Sequence, residues 1–312
     1  MTRATAFAPG SIGNVGPGFD VLGLAVDGIG DSVSVELTDE ECSTIDRLTG
    51  RDAELVPLDP KRNVAVVAAE AWLRNASIER RVIVSIHKGL ALSGGMGGSA
   101  ASSVAGAWAA ALAAGVAAPD PYSIIAAALE GEAMVSGRHL DNIAPSVFGG
   151  LVICRSTDPI DVAPVKLGAE WWVALVTPAV RIETMTARAI LPAASAREEW
   201  IQEMANTAAL VWAFSTGDRG LASRALDDVF AEPRRASLIP HFHDVKRAAI
   251  DGGAIGCSIS GSGPTLFALA ATREDASRCA EAMLKAFGEI AAVAHVGPVA
   301  RQGVRAVEER SR

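Results

Sequence analysis

The densest glycine cluster in the chain constrains its fold most sharply. Residues 94–103 read GGMGGSAASS, with four glycines among the first five positions. Glycine inside an ordered element costs about 0.5–1 kcal/mol relative to alanine, so this cluster indicates that the backbone approaches another group closely. The run follows the β-branched sequence RVIVSI of residues 81–86 and precedes an alanine-rich stretch. This order predicts a strand, then a glycine loop, then a helix.

A glycine loop at the start of a helix is suited to binding phosphate. The first N–H groups of a helix lack intrahelical acceptors, and the helix dipole favours an anion there. A Walker A loop is excluded because the chain contains no Gly-Lys dipeptide. The run GMGGSA matches a permissive dinucleotide pattern, but the predicted strand ends upstream at Ile86 and no acidic residue closes a second strand. On this motif alone, a flexible surface loop stays open as the alternative.

Composition and charge narrow the class of function. The formal net charge is −8 without a long basic run, which argues against a nucleic-acid or anionic-membrane surface. The four cysteines form no C-x-x-C pair, so neither a zinc site nor a disulfide scaffold is indicated. The most apolar run, residues 104–118, is shorter than the roughly 20 residues that span a bilayer. We therefore expect a cytoplasmic protein without nucleic-acid or membrane partners.

The order of predicted elements indicates an α+β chain with two domains. Strands are predicted near residues 4–8, 32–37, 81–86, 149–156 and 171–178, and helices near 64–74, 99–114, 121–135, 196–215 and 240–250. Residues 157–170 are polar and contain prolines, which is typical of a linker. We therefore expect domains at 1–160 and 161–312. The second half ends in a strand–helix–strand pattern.

Three further segments change the interpretation of the glycine loop. They are APGSIGNVGPGFDVLGL (Ala8–Leu24), EAMVSGRHLDNIAPSVFGG (Glu132–Gly150) and SISGSGPTLFAL (Ser258–Leu269). Taken singly, such glycine turns are more typical of structure than of function. In this order, together with the loop, they resemble the GHMP family of small-molecule kinases. The resemblance covers nearly the whole chain, and the opening segment is most similar to the branch that phosphorylates L-homoserine.

The resemblance implies a specific fold and reaction. It predicts a two-domain α+β fold, with an N-terminal left-handed βαβ domain, a C-terminal ferredoxin-like domain, and ATP and substrate between them. The reaction it implies is transfer of the ATP γ-phosphoryl group to the side-chain hydroxyl of L-homoserine, a step toward threonine. A homodimer is also expected for the family. The alternatives are another acceptor, such as threonine, shikimate or an isoprenoid alcohol, and a nucleotide-binding regulator without turnover.

The resemblance also assigns a nucleotide and metal site. Asn63 would lie near the adenine, whereas the residues alone predict an ordinary helix cap. Mg²⁺ prefers oxygen ligands and would be held by the Ser99 hydroxyl and the Glu132 carboxylate, with Glu130 as the competing carboxylate. The predicted triphosphate loop comprises Gly94, Gly95, Met96, Gly97, Gly98, Ser99 and Ala100.

An amino-acid acceptor requires a cation for its carboxylate and an anion for its ammonium group, and arginine suits a carboxylate because its planar fork donates two hydrogen bonds. Asn14 would lie near the acceptor hydroxyl, and Asn142 stands where some relatives carry a catalytic aspartate. Since an amide cannot act as a base, we expect Mg²⁺, loop N–H groups and an arginine to stabilise the developing charge, with His139 as the alternative base. Family matching nominates Thr184, Arg188 and Arg235 for the carboxylate end and Asp20, His139 and Asp141 for the amino end.

Overall fold

The structure is a computed structural model that describes residues 3–307. The strands are β1 (Arg3–Gly13), β2 (Leu22–Thr38), β3 (Thr44–Gly50), β4 (Arg81–Lys88), β5 (Leu151–Thr157), β6 (Ile160–Val165), β7 (Trp172–Pro178), β8 (Gly256–Ile259), β9 (Leu266–Ala270), β10 (Ala292–Pro298) and β11 (Arg305–Ala306). The helices are α1 (Val64–Asn75), α2 (Gly98–Ala113), α3 (Pro121–Ala133), α4 (Ile143–Phe148), α5 (Thr184–Ala189), α6 (Arg197–Thr216), α7 (Arg219–Ala225), α8 (Glu232–Arg235), α9 (Phe242–Asp251) and α10 (Arg273–Ala286).

The first sheet has seven strands and carries the glycine loop. Its main path runs β11-β1-β2-β4-β3, while β5 pairs with β2 and β6 pairs with β5. The pair β3–β4 is parallel and is joined through α1, which forms a βαβ unit. Helices α1, α2 and α3 pack together, and α2 lies against β1 and β2. All eight alanines of α2 are buried, and their small side chains allow this close approach.

The second sheet has four antiparallel strands in the order β10-β7-β9-β8. Numbered along the chain within this half, the order is 4-1-3-2, with helices between the first and second strands and α10 between the third and fourth. That arrangement matches the predicted ferredoxin-like domain. The predicted two-domain α+β class is therefore confirmed by the architecture.

The segment expected to separate the domains forms a strand instead of a linker. β6 pairs with β5 in an antiparallel hairpin that crosses residue 160. Pro164 is tolerated because β6 lies at an edge of the sheet, where no further strand needs its missing N–H donor. Near the end of the described chain, β11 returns to pair with β1. Division at residue 160 stays a prediction, and hydrogen bonding joins 160–165 to the first sheet.

Local sequence explains where the helices near the site begin. Asp120 caps α3, its carboxylate accepting a hydrogen bond from the Ser123 N–H at 2.8 Å, and Pro121 occupies the first helical position. α2 begins instead after Gly97, whose φ of 64° is left-handed. Between residues 3 and 307, none of the helices combines the length and apolar content needed to cross a membrane.

Candidate active site

A cavity of about 580 Å³ gathers predicted residues from both halves of the chain. Met96 and Ala100 do not line it, since both side chains are buried in the core. Their part in a nucleotide site is therefore restricted to the main chain. The predicted residues that line the cavity are Asn14, Asp20, Asn63, Gly94, Gly95, Gly97, Gly98, Ser99, Glu132, His139, Asp141, Asn142, Thr184, Arg188 and Arg235.

The glycine loop has a backbone that other residues would strain. Gly95 and Gly97 have φ angles of 77° and 64°, and a Cβ at Gly95 would lie 2.6 Å from the Ser260 carbonyl oxygen. The first helical bond of α2 runs from the Ala101 N–H to the Gly97 carbonyl at 2.8 Å. The N–H groups of residues 98–100 therefore precede the helical ladder, in the position where a helix start binds an anion.

Hydrogen bonds from two other segments fix the loop in place. The Ser11 N–H donates to the Met96 carbonyl at 3.1 Å. The Ser260 hydroxyl donates to the Gly95 carbonyl at 2.6 Å, and the Thr265 hydroxyl donates to the Gly94 carbonyl. These hydrogen bonds to the carbonyls of Gly94, Gly95 and Met96 fix the path of the loop backbone.

A buried ion pair beneath the loop was not anticipated from the sequence. Lys88 pairs with Asp31, and both side chains are almost completely shielded from solvent. Lys88 also donates to the Gly98 carbonyl at 3.0 Å, while Asp31 accepts from the N–H groups of Gly89 and Leu90 at 3.0 and 3.2 Å. The Lys88–Asp31 pair thus holds the segment that leads into the glycine loop, at Gly89 and Leu90, and the start of α2, at Gly98.

The alternation of buried and less buried residues along β2 indicates that Asp31 is buried. Residues 33, 35 and 37 are buried hydrophobic side chains, and Asp31 belongs to the same core-facing row. An acidic residue in such a row requires a buried partner. The sequence does not identify that partner, because Lys88 lies 57 positions away and meets Asp31 only through strand pairing.

Glu132 is buried at the cavity wall with one unused oxygen. Burial raises its pKa, while hydrogen bonds from Ser136 and Ser99 and the charge of Lys88 act in the opposite direction. Among the described residues, Glu132 Oε2 has no hydrogen-bond partner. Glu130 instead pairs with Arg74 at 2.5 Å on the protein surface. The geometry therefore favours Glu132 over Glu130 as a ligand for a cation.

The same residues fit Mg²⁺ as an incomplete coordination shell. A free carboxylate oxygen beside the Ser99 hydroxyl supplies hard oxygen donors. Within residues 3–307 there is no group of three His, Cys, Asp or Glu side chains that could hold a metal ion. Since Mg²⁺ commonly takes one or two protein ligands together with phosphate oxygens and water, these donors suit a nucleotide-bound metal.

Two arginines and an aspartate form the charged end of the cavity. Arg188 makes a two-pronged ion pair with Asp20, with nitrogen–oxygen distances of 2.8 and 3.0 Å. Both Arg188 and Arg235 lie over the ring of Phe19, at 5.2 and 5.4 Å from its centroid. The Arg235 side chain is positioned by a hydrogen bond from its Nε–H to the Ala187 carbonyl, at 3.1 Å. Phe19 was not predicted, although it adjoins the predicted Asp20.

Asn14 connects the charged end to the first sheet. Its backbone is left-handed, with φ 66°, and its Oδ1 accepts from the Asp20 N–H at 3.0 Å. Its own N–H donates to Asp141 Oδ2 at 3.2 Å. Burial, followed by the nearby charge of Asp20, raises the pKa of Asp141 to about 7. Burial also lowers the pKa of His139, whose Nδ1 lies 3.7 Å from Asp20.

The remaining predicted residues lie in the walls of the cavity. The Asn142 side-chain oxygen accepts from the Ser11 hydroxyl at 2.9 Å, and the Thr184 hydroxyl lies 3.4 Å from that of Ser262. Asn63 caps α1 by accepting from the Ala65 N–H at 3.1 Å, which confirms the predicted cap. Its position near an adenine stays a prediction, beside an apolar wall that includes Leu55, Val56 and Pro57.

Known proteins share this architecture. The model of the GHMP kinases N terminal domain matches residues 63–150, and that of the GHMP kinases C terminal domain matches residues 210–290. A protein of Chloroherpeton thalassium named homoserine kinase is 39% identical over 98% of this chain and 99% of its own length. The chain belongs to the GHMP kinase family. Members of the family are ATP-dependent phosphotransferases, so ATP is the phosphoryl donor.

Other GHMP kinases support the same placement. A homoserine kinase of Pyrococcus abyssi is 40% identical over 91% of this chain and 92% of its own length. The crystal structure of a homoserine kinase from Cytophaga hutchinsonii has a TM-score of 0.93 at 37% identity, covering 98% of both chains. The similarity extends across both sheets, so the predicted GHMP fold is confirmed over nearly the entire chain.

Proposed function

We propose that this GHMP kinase transfers the γ-phosphoryl group of ATP to the side-chain hydroxyl of L-homoserine, forming O-phospho-L-homoserine for threonine biosynthesis. The observation that carries the acceptor assignment is the Asp20–Arg188 pair inside the cavity. A zwitterionic amino acid brings the same two charges in one molecule. Its carboxylate can bind Arg188 while its ammonium group binds Asp20, exchanging one ion pair for two. The full-length relatives named homoserine kinase support this choice.

The charge pattern disfavours acceptors without an ammonium group. Mevalonate has a carboxylate for Arg188 but would leave Asp20 without its cationic partner. Galactose and shikimate also lack an ammonium group. Arg235, Thr184 and Asn14 complete the proposed acceptor site around these charges. Asp20 and Arg188 are only partly buried, but an acceptor that leaves one of these charges without a partner still loses binding free energy, which favours an acceptor that supplies both charges.

The glycine loop is proposed to bind the triphosphate through the N–H groups of residues 98–100. Ser99 and Glu132 would hold Mg²⁺, which neutralises phosphate charge when bound. Lys88 and Asp31 keep the loop in position from below. Phosphoryl transfer depends mainly on such positioning and charge stabilisation. Asn142 cannot remove a proton, so the proposed mechanism has no side-chain base at that position.

Acceptor specificity can be tested by measuring ADP release with MgATP and a panel of L-homoserine, L-threonine, mevalonate, galactose and shikimate. We expect L-homoserine to have the highest kcat/KM by at least about two orders of magnitude. Mass spectrometry of the product should show one phosphoryl group on the side-chain oxygen. Equal turnover of mevalonate would refute the acceptor assignment. Absence of ADP release with every acceptor would instead favour a nucleotide-binding regulator.

We extend the proposal to a cytoplasmic homodimer. The described cysteines form no disulfide, and three of the four are buried. This pattern is compatible with a reducing compartment.

A further inference from the structure

One face of helix α6 carries polar side chains that hold neighbouring segments of the chain. Glu199, Glu203 and Thr207 are spaced by four, so they form one stripe along the helix. The Thr207 hydroxyl donates to the Pro17 carbonyl at 2.8 Å, and the Glu199 carboxylate pairs with Arg234 at 2.9 Å. The stripe therefore ties α6 to two segments that lead into the cavity.

The middle residue of this stripe, Glu203, has one carboxyl oxygen with a donor and one without. Its Oε2 accepts from the Val229 N–H at 3.1 Å. Its Oε1 is buried, and among residues 3–307 no donor reaches it. The side chain of Asp228 lies within hydrogen-bonding reach of Glu203. Two ionised carboxylates so close together repel each other, so this arrangement requires a proton between them.

Asp228 is the ionised member of this acidic pair. Its side chain is buried, and its Oδ1 accepts from the N–H groups of Phe230 and Ala231 at 2.8 and 2.7 Å. Its Oδ2 accepts from the Glu232 N–H at 2.9 Å. Three backbone donors favour the charged form of a carboxyl group and occupy three of its roughly four lone-pair positions. The remaining position can accept a hydrogen bond from a protonated Glu203.

The surroundings of the acidic pair keep the proton on Glu203. Burial, followed by the charge of Asp228, raises the pKa of Glu203 to about 8. Burial also raises the pKa of Asp228, but its backbone N–H donors act in the opposite direction. The other charged groups that face the pair or its neighbours are Glu199, Asp227, Glu232, Arg234, Arg235 and Lys246. Among these, Arg234 and Lys246 already form ion pairs with other carboxylates, so a neutral Glu203 is the favoured state at pH 7.

The segment closed by Asp228 leads directly to the acceptor end of the cavity. α8 begins at Glu232, the last of its three N–H donors, and ends at Arg235, which lines the cavity. Phe230 packs edge-to-face against Phe19, with ring centroids 5.5 Å apart. Since both arginines of the cavity lie over the Phe19 ring, a shift of this segment would displace the groups that face the acceptor.

We propose that Glu203 is a positioning residue for the acceptor site, which donates its carboxyl proton in a hydrogen bond to Asp228 and thereby holds residues 227–232, and through them Arg235, in place. Neither Glu203 nor Asp228 lines the cavity, so this role is indirect. Release of the proton to solvent leaves a second negative charge beside Asp228, which repels the segment. Acceptor binding then weakens at alkaline pH, while ATP binding at the glycine loop does not. The inference rests on the proposed function for the identity of the acceptor.

Initial rates with L-homoserine between about pH 6.5 and 9.5 test this role in the wild type and in Glu203→Gln. A glutamine amide donates to Asp228 at every pH in this range. The wild-type KM for L-homoserine should therefore be similar to that of the variant at pH 6.5 and exceed it about tenfold at pH 9, one unit above the pKa of Glu203. The KM for ATP should show no such difference.

The comparison between the two proteins isolates Glu203. Asp141 and the ammonium group of the substrate titrate equally in both measurements, so the ratio of the two KM values removes their effects. Glu198→Gln is the matched control, since Glu198 is an exposed residue on the same helix. The control should follow the wild-type pH profile of the KM.

Urea unfolding tests the proton without an acceptor. Because the pKa of Glu203 is raised in the folded state, the stabilisation by its proton is complete below pH 4.5, decreases as the pH rises and is lost above about 8. The urea midpoint of the wild type should therefore fall relative to that of Glu203→Gln between pH 5 and pH 9. The midpoint of Glu198→Gln should change in parallel with the wild type.

The two assays separate failure of this inference from failure of the proposed function. A ratio of KM values that stays within about twofold across the pH range would overturn the positioning role, as would an equal rise in the KM for ATP. A difference in urea midpoint that does not depend on pH would overturn the proton on Glu203. Absence of turnover with L-homoserine in every protein would instead refute the proposed acceptor, and the urea midpoints would still decide the proton.

Discussion

Replacement of Asp141 by asparagine should change how stability depends on pH. Asp141 is buried beside Asp20, and its pKa is raised from 3.8 to about 7. The folded state therefore binds a proton more tightly than the unfolded state between these values. The contribution of this proton to the free energy of unfolding is complete below pH 3.8, decreases as the pH rises and is lost above about 7. At about 1.36 kcal/mol per pH unit, this corresponds to a loss of roughly 4 kcal/mol in the wild type.

The asparagine variant should lack this loss while retaining the local structure. Its side-chain oxygen can still accept the hydrogen bond that the Asn14 N–H makes with Asp141, and it is neutral throughout the range. Relative to wild type, the variant should therefore gain up to about 4 kcal/mol of unfolding free energy between pH 4 and pH 8.

Urea unfolding at several pH values measures this difference directly. Asp244→Asn is the matched control, because Asp244 is exposed on α9, outside the cavity. The control should follow the wild-type pH dependence within about 0.5 kcal/mol. If Asp141→Asn also follows the wild type within that margin, burial does not hold a titrating carboxyl at this position. The raised pKa of Asp141 would then be refuted.

Three further substitutions test the nucleotide and acceptor ends. Glu132→Gln should lower kcat by at least about a hundredfold, because it removes the charge and the free oxygen offered to the cation, and should raise stability, because burial disfavours the ionised carboxylate. Glu130→Gln, the surface control, should retain turnover, and equal losses would contradict the metal assignment. Asp31→Asn should lower the free energy of unfolding, measured in urea, by about 3–5 kcal/mol. Adding Lys88→Met should recover part of that free energy. Additive losses would show that the two residues act independently. Arg188→Met should raise the KM for L-homoserine about 10- to 100-fold with little change in the KM for ATP; an equal rise in both would refute its place at the acceptor.

The sequence predicted which segments form the site better than it predicted which side chains face the cavity. Asn14 and Arg235 lie 221 positions apart, yet both were assigned to the acceptor site and both line one cavity. Glu130 and Glu132 illustrate the limit. Two positions along a helix rotate a side chain by about 200°, so one glutamate faces the cavity and the other faces solvent. The residue types alone could not choose between them.

Features that depend on long-range pairing were missed. Asp31 meets Lys88 only because β2 pairs with β4, and β6 was interpreted as linker because its proline is acceptable only at a sheet edge. The prediction of a helix near residues 196–215 did not indicate which of its faces would be buried. In the structure Leu210, Ala213 and Phe214 form the buried face of α6, whereas Trp200 and Trp212 are exposed.

The most direct test of the proposed site is a crystal structure with a non-hydrolysable ATP analogue, Mg²⁺ and L-homoserine. The terminal phosphates should contact the N–H groups of residues 98–100. The homoserine carboxylate should bind Arg188 and its ammonium group Asp20, separating the ion pair now joined at 2.8 Å. A triphosphate bound away from residues 94–100, or an acceptor bound elsewhere while Asp20 and Arg188 stay paired, would contradict the proposed mechanism.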